Sequence, residues 1–101
     1  MKTATITLPE PKLSPLCTLA PIFSATALSL LKDDMAKFVT AYTNSTASPA
    51  YNCWDTSRAY NALRGAVWMA AYCNLIDGNL AADISIAAMN LMTKPRAEDA
   101  A

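Results

Sequence analysis

The chain has 101 residues, eight basic and eight acidic side chains and so no formal net charge, with 53% hydrophobic and 16% charged residues. That balance is too apolar for disorder over most of the length, and too neutral for a general electrostatic field that gathers nucleic acid or anionic lipid. There is no histidine, which removes the commonest general base and metal ligand, and only two glycines, Gly65 and Gly78, which excludes a glycine-rich phosphate loop.

Residues 2–8 alternate polar Thr3, Thr5 and Thr7 with apolar Ala4, Ile6 and Leu8. This is the period of a half-buried strand, with a loosely ordered terminus as the competing reading. Pro9, Pro11, Pro15 and Pro21 then predict an extended, proline-rich arm over 1–21, packed on the body through Leu13, Leu16 and Leu19. The uncharged run from Leu13 to Leu31 has the length of an exported leader, but its prolines and five Ser/Thr residues argue against that reading.

The arm gives way to a helical domain over 22–95. A first helix is expected from Pro21–Ser24 to about Thr43, with Leu28, Leu31, Met35, Phe38, Val39 and Tyr42 as one buried stripe. Lys32, Asp33 and Lys37 form its solvated side, and Asn44 is expected as a left-handed stop. Ser48-Pro49 reads as the N-cap and first position of a second helix running to about Asp77, with a break near Asp55 and Gly78 as its left-handed end. Asn79 is expected to cap a third helix over Leu80–Thr93, with Leu80, Ile84, Ala87, Ala88 and Leu91 inward and Pro95 as its stop. Residues 96–101 read as a disordered tail. The fold class that follows is all-α: a small three-helix bundle with an extended proline-rich N-terminal arm.

The second helix carries the functional signal. At about 100° per residue, Ala59, Leu63, Ala66, Val67, Ala70 and Cys73 share a face of small and aliphatic side chains suited to close helix packing. The opposite side holds Trp54, Arg58, Asn61, Gly65, Trp68 and Tyr72, with Arg64 beside it; Trp54 with Arg58, or Arg64 with Trp68, can stack at i, i+4. Aromatic and arginine side chains dominate interface energies, so these seven residues are the candidate partner-binding set. The competing reading buries this helix on all sides as the centre of the bundle.

The three cysteines, Cys17, Cys53 and Cys73, form no CxxC pair and are expected as small buried side chains in a reducing, cytoplasmic setting. With no base for a cysteine nucleophile, no ligand set for a metal and no paired carboxylates, neither enzyme activity nor a cofactor is expected. Nucleic-acid binding would rest on Arg58 and Arg64 alone, and no membrane association is expected. The leading expectation is a non-enzymatic protein-binding module, such as a small bacterial or phage accessory or inhibitor protein that covers a site on a larger protein. It is expected to self-associate, because a domain this small and this apolar leaves surface for a second copy or a partner. A structural homo-oligomer subunit with no other partner, and a small exported protein, are the alternatives.

Overall fold

Pro21 sets the first helical turn: its ring fixes φ near the helical value and its missing N–H falls where none is needed. Helix α1 runs Pro21–Asn44, α2 Trp54–Tyr72 and α3 Gly78–Thr93, with a single 3₁₀ turn at Ala50–Asn52 between the first two. This is a small all-α bundle, as the composition implied. It was obtained as a computed structural model that describes residues 6–95. The disordered-tail expectation and the first half of the strand expectation fall outside the described residues. Over residues 6–20 there is no helix or strand, so the alternation at Ile6–Leu8 does not give a strand there.

The helices run antiparallel in sequence, with α2 in the middle. Phe38 of α1 meets Tyr60 of α2 with ring centroids 6.1 Å apart. The Thr56 hydroxyl, wholly buried, donates to the Ala41 carbonyl at 3.2 Å and fastens the first turn of α2 to the last turns of α1. On the other flank, Tyr60 and Asn61 share a cleft with Met89 and Met92 of α3. The core is Leu31, Phe38 and Tyr42 from α1, Leu63, Val67 and Ala70 from α2, and Ala81, Ile84, Ala88 and Met92 from α3, with Leu75 and Ile76 from the connection. The expected α1 stripe is thus borne out, with Leu28, Met35 and Val39 half-buried at its edges.

Several local expectations are corrected. Leu13 and Leu16 do not hold the N-terminal segment down; both are exposed, and Leu19, 39% exposed, only edges a cleft with Leu31, Ala70 and Leu75. Pro11 and Ser14 are buried instead, Ile6, Leu8 and Cys17 pack on the core, and the Ser14 N–H donates to the Leu75 carbonyl at 2.9 Å. Asn44 is the last residue of α1 rather than a left-handed stop, and Ser45 leaves in an extended conformation. Ser48-Pro49 starts the short 3₁₀ turn, while α2 begins later with Cys53 at its N-cap.

The end of α2 is the largest boundary correction. The helix stops at Tyr72, and Asn74, at φ 57°, is the left-handed residue that Gly78 was expected to be. The Leu75 N–H then bonds the Ala70 carbonyl at 2.8 Å and the Asn74 N–H bonds the Ala71 carbonyl at 3.0 Å. This is the Schellman pattern, and the buried Leu75 closes it against Ala70 in the core. Asparagine tolerates the left-handed region because its short amide bonds locally. Gly78 is instead the first residue of α3, and Asp77, not Asn79, caps it by accepting the Asn79 N–H at 2.7 Å.

Candidate partner-binding face

Because α1 and α3 lie on two flanks of α2, one arc of α2 is left largely open, bordered by α3 at Asn61 and by α1 at Met69. The inward arc holds Thr56, Leu63, Val67 and Ala70, all buried, with Ala59 and Ala66 half-buried beside them. Cys73, expected inward, is exposed because the helix has already ended at Tyr72. The outward arc carries the seven residues singled out from the sequence, and the structure brings all seven onto one exposed surface. Trp54 is 71% exposed, Trp68 37% and Tyr72 82%, with Arg58, Asn61, Arg64 and Gly65 exposed among them. The reading that buried α2 on every side does not hold for this arc.

Of the two expected stacks, the structure shows Arg58 over the Trp54 ring at 5.3 Å to the centroid. A guanidinium over an indole is held by the ring quadrupole, so the two side chains pre-arrange each other without a partner. Gly65 sits mid-face. No atom lies within 4 Å of where its Cβ would stand, so nothing inside the protomer requires a glycine there. A glycine at an exposed helix interior nevertheless costs about 1 kcal/mol relative to alanine. Met69, 63% exposed beside Trp68, widens the apolar surface; the sequence reading passed over it because no charge or ring marked it.

A second feature lies at the start of α2. Cys53 is half-buried on a cleft of about 520 Å³ that Asp33, Lys37, Thr40, Ser45 and Asp55 also line. Its thiol is lowered to about 7, chiefly by the Ser45 hydroxyl, then by the Thr56 hydroxyl and the backbone N–H of Thr56, against a small opposing effect of burial. The Asp55 N–H adds to the lowering. The Thr56 hydroxyl divides its one proton between this sulfur and the Ala41 carbonyl. A thiol beside a helix N-terminus is stabilised as thiolate by the positive end of the helix and its nearby N–H groups. The expectation of three uniformly buried cysteines therefore fails: Cys17 and Cys53 are half-buried and Cys73 is exposed. The sequence offered no signal for Cys53, because the α2 start was placed five residues too early.

Among the described residues, no group of three metal-ligating side chains comes together, and no helix is long and apolar enough to cross a membrane. Fold and surface together define a small helical bundle that presents one aromatic, arginine-bearing helix face. Comparisons with protein-family models, with curated proteins and with solved structures each found no match.

Proposed function

We propose that this chain is a non-enzymatic protein-binding module that covers a site on a larger protein with the outward face of α2, as a cytoplasmic accessory or inhibitory protein would. The observation that carries the reading is the exposure of Trp54, Trp68 and Tyr72 along one helix side, with Arg58 already stacked on Trp54. Apolar rings left in water cost free energy, and several of them along one helix side of a small protein favour an interaction site. Tryptophan, tyrosine and arginine are also the side chains whose truncation costs most at interfaces. A helix stapled on two flanks is rigid, so little ordering entropy is lost on docking.

The test is capture of a defined protein by immobilised chain, compared among variants. Trp68→Ala and Arg58→Glu should each lose the captured protein by tenfold or more while the helical circular dichroism is kept; hot-spot truncation costs about 2 kcal/mol or more. Ile86→Ser, at an exposed position of α3, is the control that should retain it. Equal capture by all three variants would remove the α2 face as the docking surface.

A second reading, a homo-oligomer subunit, is favoured by one observation. Leu16 in the N-terminal arm and Ile22 and Phe23 in the first turn of α1 are exposed apolar side chains outside α2. A closed oligomer by light scattering that captures nothing, and that falls apart on Phe23→Ser, would support it over the first.

A further inference from the structure

The outward residues of α2 repeat at the same helical spacing as the inward Ala59, Leu63, Ala66 and Ala70, but carry larger side chains. Trp54, Arg58, Asn61, Gly65, Trp68 and Tyr72 are separated by four, three, four, three and four positions, and they run the whole length of the helix. A 3-4 alternation is the spacing by which one helix keeps a straight seam against another. Inside the chain, α1 reaches the side of Ala66, Met69 and Ala70, and α3 the side of Tyr60 and Asn61, so the two helices border the outward arc at Met69 and Asn61. Between those borders the arc meets no second helix among the described residues.

Resting on the reading of this face as a docking surface, we propose that its occupant in the free protein is a second copy of the chain. The two α2 helices pair antiparallel about a two-fold axis at the level of residue 63. In that register Arg58, with one face on its own Trp54, turns its other face to the partner's Trp68, Asn61 meets the partner's Gly65, and Trp54 meets the partner's Tyr72 at the ring side that Arg58 leaves open. All three pairs share the same midpoint, which is the condition for an isologous interface. Every layer is then complementary: a guanidinium on an indole, an amide in the space left by a missing side chain, and ring on ring. The parallel alternative sets Arg58 on the partner's Arg58 and leaves a void where two copies of Gly65 face each other. The antiparallel register also gives the otherwise unexplained Gly65 a purpose, which is to admit the partner's Asn61. Arg64 lies beside the seam and approaches its own mate, but in water that repulsion is small.

The area is of the order needed. Taking about 200 Å² for each fully exposed side chain, Trp54, Trp68 and Tyr72 offer roughly 380 Å² per copy. Doubled by symmetry, and with the exposed Arg58 and Asn61 added, this approaches the roughly 1,000 Å² that a specific interface requires. A target that uses the same face has to displace the second copy, so self-pairing sets a threshold for target binding.

The test exchanges the two members of a layer. Gly65→Asn places amide against amide and should weaken the dimer about tenfold or more, by sedimentation velocity or light scattering. Adding Asn61→Gly rebuilds the same layer the other way round and should restore it, with the same helix-forming residues in total. A second exchange, Trp68→Arg with Arg58→Trp, keeps the question open to refutation should the first lose its helical circular dichroism. Trp68→Arg alone should be monomeric and the pair dimeric. A full-length chain that is monomeric at its highest soluble concentration overturns the proposal. So does a folded exchange variant that stays as weak as its single parent, or a Gly65→Asn variant that pairs like the unsubstituted protein. These outcomes separate from those of target capture. A monomer whose capture still depends on Arg58 and Trp68 refutes the dimer alone. A dimer that obeys the exchanges while capture ignores the face refutes the target reading alone.

Discussion

The two sides of α2 share one backbone and differ in the size of what they carry. Inward are Thr56, Leu63, Val67 and Ala70, small or aliphatic, pressed between α1 and α3; outward are Trp54 and Tyr72, largely in water, with Trp68 37% exposed beside them. The largest rings of this helix are thus not in its core. Helix axes that approach within 8–10 Å leave room for small side chains between them, whereas large rings suit a surface that meets something outside. Core volume comes from α1 instead, where Phe38 lies between Tyr42 and Tyr60 at 6.2 and 6.1 Å.

The sharpest way to break this contrast is truncation on both sides. Phe38→Ala and Leu63→Ala, each leaving a cavity in a filled core, should lower unfolding free energy by about 3–5 and 2–5 kcal/mol in denaturant titrations. Tyr72→Ala should change the stability of the isolated protomer by no more than about 0.5 kcal/mol. A comparable cost on both sides would mean that the outward side is not open. A smaller effect is expected at the inward edge. Thr56→Val keeps the shape but leaves the Ala41 carbonyl without its donor, and should cost about 1 kcal/mol. Smaller again, and of opposite sign, Gly65→Ala should raise protomer stability by about 0.5–1 kcal/mol, because the added Cβ meets nothing within the chain. A loss of stability there would mean that the chain itself occupies the face.

The last prediction sharpens the account of where α2 starts, and reads rate rather than stability. With its thiol lowered to about 7, Cys53 should reach half its maximal alkylation rate near that pH. Ser45→Ala should move that midpoint upward, towards the ordinary thiol value of 9.0. The sign for folding follows: the folded thiol ionises before the unfolded one, so this group adds nothing below about pH 7 and adds stability as pH rises towards 9.0. A midpoint unmoved by Ser45→Ala would separate Cys53 from the hydroxyl held responsible.

Much of the architecture was legible from short-range chemistry. Pro21 opened α1, Thr93 preceded the Lys94-Pro95 stop, and the α1 stripe through Leu31, Phe38 and Tyr42 fell on the core. Errors gathered where two local signals competed. Ser48-Pro49 is a good helix start, yet the chain takes only a 3₁₀ turn there; α2 begins at Trp54, where Thr56 in its first turn bonds the Ala41 carbonyl of α1. Asn74 and Gly78 both offer a left-handed stop, and the choice went to the one that lets Leu75 enter the core. The arm followed the same logic: Leu13, Leu16 and Leu19 are apolar, but Pro11 and Ser14 are the residues the backbone turns inward.

By itself the sequence determined that there are three helices, roughly where they begin and end, and which two stripes α2 carries, since propensity, proline and periodicity act within a few residues. It left both α2 stripes apolar enough to be core. Which one is covered depended on where α1 and α3 dock, a matter of contacts between residues distant along the chain, and only the tertiary structure decided that the tryptophan side stays open.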